Sequence, residues 1–171
     1  MKAFIDRTSV FAVIFFLALT VFGCSSPEDK KQAFLDKGNQ LFAQDEFIKA
    51  KLEYKNALQI DPEFAAAYSK LAETELKLKN FKQAYGLFNK TVELDPENLD
   101  ARINLGKLLL AGRALDKAAE QTDLILAKDP ASIDGRLLKS SIHFMKKEIG
   151  QGEAILSDMC KEGITQPELY I

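Results

Sequence analysis

The chain has 171 residues, 47% of them hydrophobic, and a formal charge of −2 from 23 basic and 25 acidic side chains. That balance argues against nucleic-acid binding, which needs a basic face, and against electrostatic adhesion to anionic lipid. Lys2, Arg7 and Asp6 precede residue 24, which leaves a formal −3 on the remainder and strengthens both exclusions.

At the start, Lys2 and Arg7 form a short basic region, and residues 10–22 are apolar apart from Thr20. A comfortable membrane span needs about 20 apolar residues. This run instead has the length of a secretory hydrophobic region. It leads into Val21-Phe22-Gly23-Cys24, which resembles the bacterial lipobox; Val21, Gly23 and Cys24 fit the pattern, and Phe22 is larger than usual there. The resemblance implies a signal peptide over residues 1–23 and diacylglycerol on the Cys24 thiol. An uncleaved signal anchor is the alternative. Residues 24–30 (Ser25-Ser26-Pro27-Glu28-Asp29-Lys30 after the cysteine) read as a polar tether. Ser25 beside Cys24, with no Asp there, favours the outer membrane by the sorting rule of enteric bacteria.

From residue 31 the chain repeats itself. Asp61-Pro62, Asp95-Pro96 and Asp129-Pro130 recur every 34 residues. Phe47, Phe81, Leu115 and Ile149 keep the same period, as do the small residues Gly38, Ala72, Gly106 and Ser140, the small residues Ala50, Ala84, Ala118 and Gly152, and the series Tyr54, Phe88, Thr122 and Leu156. A fixed period of this length means a stack of one supersecondary unit. Apolar spacing predicts two helices per unit: residues 31–44 and 47–60, then 65–78 and 81–94, 99–111 and 114–128, and 133–146 and 149–161. Each Asp-Pro ends a second helix, because proline pushes the residue before it out of the α region. Small residues at two fixed places let backbones approach, and bulky ones between them fill the interior.

Gly38, Ala50, Tyr54 and Pro62 carry a resemblance to the tetratricopeptide repeat (TPR), followed by Ala72, Ala84, Phe88 and Pro96, then Gly106, Ala118 and Pro130. Thr122 departs from the aromatic position, and Ile164 stands where the fourth proline would be. The resemblance implies an all-α, right-handed superhelical solenoid of four repeats, 31–64, 65–98, 99–132 and 133–166, the last degenerate. Tyr170 falls in phase as a large aromatic, so residues 167–171 read as the start of a truncated fifth repeat; a short cap or tail is the alternative.

Chemistry is hard to find. His143, the single histidine, reads as a helix-surface residue, and no nucleophile elbow or phosphate-binding glycine loop is present. No enzyme activity, metal or cofactor is expected. With Cys24 taken by lipid, Cys160 has no intramolecular partner and is expected to lie partly buried on the last helix, as a small apolar residue.

In the TPR family the first helices line a concave face that meets ligands. Carried over, this places Leu35, Ser69, Ile103 and Leu137 in one row, Asn39, Glu73, Lys107 and Ser141 in the next, and Phe42, Leu76, Leu110 and Phe144 in a third. Such a groove suits a peptide with apolar anchors. A subtype that clamps C-terminal carboxylates is not expected, because Leu35 stands where its lysine would be, although Asn39 matches. The implied function is a periplasm-facing, membrane-anchored scaffold for a protein or peptide partner. Lipobox plus repeats resembles TPR lipoproteins of exosortase/PEP-CTERM and exopolysaccharide export, or type IV pilus secretin-assembly lipoproteins. A targeting arm of a longer enzyme is a further alternative.

Overall fold

The computed structural model describes residues 26–164. They form eight helices: α1 Pro27–Ala43, α2 Phe47–Ile60, α3 Ala65–Lys77, α4 Phe81–Leu94, α5 Leu99–Ala111, α6 Leu115–Lys128, α7 Ile133–Met145 and α8 Ile149–Lys161. No strand occurs among the described residues. Successive helices pack as hairpins, and each second helix also packs on the first helix of the next repeat. The result is the expected all-helical solenoid. The apolar run 10–22, Cys24 and residues 167–171 lie outside the described residues. No described helix is long and apolar enough to cross a membrane.

The turns inside the repeats share one geometry. Asp45, Lys79, Arg113 and Lys147 adopt φ of 58°, 62°, 57° and 64°, again one per period. The following amide reaches back five residues in every case: Glu46 N to Leu41 O at 2.9 Å, Asn80 N to Glu75 O at 2.8 Å, Ala114 N to Leu109 O at 2.9 Å and Glu148 N to His143 O at 2.9 Å. This is the Schellman closure, which needs a left-handed residue to satisfy the last carbonyls of a helix.

The turns between repeats use the Asp-Pro pair. Asp61, Asp95 and Asp129 leave the helical region, at φ of −132°, −132° and −129°, and their carboxylates accept the backbone N–H of Glu63, Glu97 and Ala131 at 2.9, 3.2 and 3.1 Å. The aspartate thus holds the turn while proline blocks the helix. The fourth repeat lacks both residues and ends by the other device. Gly163, at φ +85°, lets Ile164 N donate to Met159 O at 3.0 Å.

One boundary differs from expectation. Helix α1 starts at Pro27, so residues 27–30 are helical and do not form a tether. Ser26 caps it: its hydroxyl accepts Asp29 N at 3.1 Å, while the Asp29 carboxylate accepts Ser26 N at 3.0 Å. This reciprocal capping box, with proline at the first helical position, starts the helix early. Lys31 then ties α1 to the first inter-repeat turn, with Nζ 2.6 Å from Asp61 and 2.8 Å from Glu28, and 4.7 Å from the centroid of the Phe64 ring. The Lys31 hydrogen bond, the largest influence, holds the Asp61 carboxyl below its usual range.

The interior consists of two clusters. Leu35, Ala50, Tyr54, Ala57, Ala67 and Leu71 form the first. A larger one runs from Ala72 through Phe88, Leu105 and Ile125 to Leu138 and Ile142. Leu87 packs against both. The small positions work as read: a Cβ on Gly38 would lie 2.4 Å from Tyr54 Cε1, and one on Gly152 would lie 2.7 Å from Phe144 Cε1. Thr122 is buried where an aromatic was missing, and its hydroxyl donates to Ala118 O at 2.8 Å. The space over Gly106 is filled from the next repeat, by Leu138 Cδ1 at 3.1 Å from a Cβ position.

Cys160 corrects a further expectation, since it is exposed. Met159 takes the inward position and is fully buried. One residue along a helix turns a side chain by roughly 100°, which carries Cys160 out to the surface.

Candidate functional site

The twelve residues expected along the first helices divide into three groups. Leu35, Ser69 and Leu137 are buried, at 7%, 8% and 3% exposure, so they pack within the stack. Ile103 is half-buried against the larger core. Phe42 is half-buried in an edge-to-face contact with Phe47, ring centroids 5.3 Å apart.

A second group is held by polar contacts within the protein. Tyr54 Oη donates to Asn39 Oδ1 at 2.9 Å. Burial, helped by the nearby Glu73 charge, pushes the Tyr54 phenol up to about 12. Lys70 Nζ lies 3.0 and 2.9 Å from the two Glu73 oxygens. Asn39, Tyr54 and Glu73 therefore form a polar corner between repeats 1 and 2, and part of its hydrogen-bonding capacity is already used.

The third group lines open space. Lys107, Leu110, Ser141 and Phe144, from α5 and α7, are brought together on a groove of about 690 Å³ with Met145 and Arg113. Leu110 and Ser141 are only 4% exposed and supply its floor. Lys107 Nζ is 2.9 Å from Asp134 across the repeat boundary, so it stands fixed at the groove wall. Leu76 and Lys107 also line a second groove, of about 960 Å³, shared with the starts of α4 and α6. It has a structural cause. Helix α1 touches α3, and α5 touches α7, but α3 and α5 stand further apart.

The second groove brings in residues that sequence reasoning missed: Phe81, Lys82, Tyr85, Arg113, Leu115 and Lys117. They sit on turns and second helices, off the first-helix rows. Phe81 carried a signal, being a large apolar residue at a helix start that remains 57% exposed. Outside the grooves, His143 Nδ1 lies 2.6 Å from Glu148 Oε2, an ordinary helix-end contact. No group of three or more His, Cys, Asp and Glu side chains that could hold a metal ion occurs among the described residues.

Paired helices on a strict period, left-handed turns and a first-helix groove define a superhelical repeat protein of the interaction class. The Tetratricopeptide repeat family matches this chain over residues 41–93 and 76–142, and the chain belongs to that family. Sperm-associated antigen 1 of Mus musculus is 26% identical over 132 residues, covering 74% of this chain and 14% of its own length. The chain thus spans about a seventh of that relative. Among solved structures, a tetratricopeptide repeat protein from Parabacteroides merdae superposes with a TM-score of 0.76 at 19% identity, covering 83% of this chain and 55% of the other. Pseudomonas aeruginosa PilF gives 0.70 at 17% identity, over 80% and 62%. The second TPR domain of human RPAP3, solved with an HSP70 peptide, gives 0.63 at 20% identity, over 68% and 98%. At these identities the likeness is one of fold.

Proposed function

We propose that this protein is a non-enzymatic scaffold, anchored through Cys24 on the periplasmic side of a bacterial membrane, that holds a partner protein or peptide in its first-helix groove. The observation that carries this reading is the convergence of Lys107, Leu110, Ser141 and Phe144, from two successive repeats, on one groove. A mostly apolar floor carrying one hydroxyl, with Lys107 and Arg113 beside it, suits an apolar anchor flanked by polar backbone. The capped start of α1 bears on the anchor. Ser26 is two residues from Cys24, and two Cα–Cα steps span at most about 8 Å. A lipid on Cys24 would hold the array against the bilayer surface, preferentially the outer membrane by the Ser25 rule.

The process served is surface-protein or exopolysaccharide export in this reading. Secretin assembly for type IV pili is a second reading, favoured by the shared fold with PilF. Intact mass of the membrane-extracted chain tests the anchor: a diacylglycerol adduct lost in Cys24→Ala is expected, and an unmodified Cys24 refutes it. Partner recovery by the chain and by its Phe144→Glu and Lys107→Glu variants tests the groove. Both variants should lose the partner while keeping a cooperative melt. A partner retained by both moves binding elsewhere, and recovery of secretin alone selects the pilus reading.

A further inference from the structure

Among the described residues, the groove between α3 and α5 gathers three cations that form no ion pair around one apolar wall. Its apolar wall is Leu76, Phe81, Tyr85, Leu108 and Leu115, and Lys82, Arg113 and Lys117 stand around it. Ion pairs are frequent elsewhere: Lys37 with Glu53 at 2.6 Å, Lys51 with Glu75 at 2.6 Å, Arg136 with Glu162 at 2.5 Å. None of the three groove cations has a carboxylate partner among the described residues. The one acidic residue on this groove, Asp116, points its carboxylate to Lys146 at 3.0 Å. A chain of net charge −2 thus concentrates uncompensated positive charge around an apolar recess of about 960 Å³.

Arg113 and Lys107 also line the neighbouring groove with Leu110, Phe144 and Met145. Two apolar recesses therefore meet at a basic junction. Their order, apolar then basic then apolar, sets the chemistry of an occupant. An acyl chain needs a continuous apolar path, and the junction interrupts it. An extended peptide presents side chains of different character at successive positions, and meets such an order with an acidic residue between two apolar ones.

Resting on the scaffold reading, we infer that this double groove takes an internal acidic segment of a partner protein, with apolar anchors on either side of its carboxylates. The cations that recognise it come from turns and second helices, so no free C-terminus is required. Charge complementarity of this kind raises association rate and selectivity, and apolar burial supplies the remaining attraction.

The test is fluorescence anisotropy on the full chain with a labelled peptide, Leu-Phe-Asp-Glu-Asp-Leu-Phe, blocked at both ends, against its Asn/Gln counterpart. The acidic peptide should bind about tenfold tighter or better, a difference of about 1.4 kcal/mol, and salt should weaken it alone. Arg113→Glu with Lys117→Glu should remove the preference and leave the amide peptide unchanged, and neither substitution breaks an ion pair that the fold uses. Phe81→Ser should weaken both peptides. Equal binding of the two peptides, binding of neither, or a preference surviving the double variant overturns the inference. Equal binding that Phe144→Glu abolishes would leave the scaffold reading standing without acidic selectivity. Flotation with phosphatidylglycerol vesicles that depends on Arg113 and Lys117 would replace the peptide by a lipid surface. Loss of self-association in the double variant, by sedimentation velocity, would replace it by a second copy.

Discussion

The left-handed turn residues offer the sharpest quantitative test of this fold. Lys79 and Lys147 hold φ of 62° and 64°, are exposed, and carry no ion pair among the described residues. A side chain in this conformation costs about 1–2 kcal/mol. Glycine removes that cost but loses about 0.4–1 kcal/mol through the greater freedom of the unfolded chain. The net gain is about 0.5–1 kcal/mol per site relative to alanine, which keeps the strained Cβ. Both alanine and glycine remove a lysine from a helix C-terminal end, so the loss of its dipole interaction cancels in that comparison. The sites lie two repeats apart and should add. Lys79→Gly with Lys147→Gly should therefore exceed Lys79→Ala with Lys147→Ala by about 1–2 kcal/mol, or about 4–8 °C in thermal midpoint. Circular dichroism at 222 nm reads both. Asp45→Gly should gain less over the wild-type chain than Lys79→Gly does, because aspartate tolerates this region better than lysine. A glycine pair melting at or below the alanine pair would refute the strain argument.

Glycine packing gives a paired prediction. Gly38→Ala drives a methyl into the Tyr54 ring and should cost about 1–3 kcal/mol in denaturant midpoint. Gly86→Ala, with nothing within 4 Å of its Cβ position on exposed helix surface, should gain about 0.5–1 kcal/mol. Tyr54 sets an alkaline limit: its phenol is raised from 10.0 to about 12, so the folded state favours the neutral form. That stability is complete below pH 10 and drains as pH climbs towards 12; thermal midpoints should fall across that window, and Tyr54→Phe should flatten the fall. Glu75 is 2% exposed and bonded to Lys51 at 2.6 Å and Asn80 at 2.7 Å. Lys51→Met leaves the buried carboxylate without its countercharge, holding only neutral donors such as Asn80, and should cost about 3–5 kcal/mol, an effect that Glu75→Gln in the same chain should partly reverse.

The fold was largely legible because the period is written in residue types with few substitutes. Asp61, Asp95 and Asp129 combine a non-helical backbone with an acceptor for the amide two residues on, and proline completes the stop. The turn row was hidden for the opposite reason. Its members are Asp45, Lys79, Arg113 and Lys147, and backbone hydrogen bonds impose the conformation without regard to the side chain. The start of α1 could have been read from Ser26, Pro27 and Asp29, which spell a capping signal that the tether reading passed over. The site was legible only along the first helices, where Lys107, Leu110, Ser141 and Phe144 follow from phase. Lys82, Arg113 and Lys117 depend on the gap between α3 and α5, a distance that no single-repeat pattern encodes.

The division of the interior has a consequence for how the array yields under stress. Leu71 and Ala72 are neighbours on α3, yet one belongs to the smaller cluster and the other to the larger. The apolar interior therefore passes from one cluster to the other inside the second repeat, with Leu87 against both. Traction on the N-terminal end pulls first on α1 and α2, which the smaller cluster holds. These helices can peel away while Phe88, Leu105 and Ile125 stay enclosed. Loss of the first repeat in this way would leave the grooves of the later repeats in place.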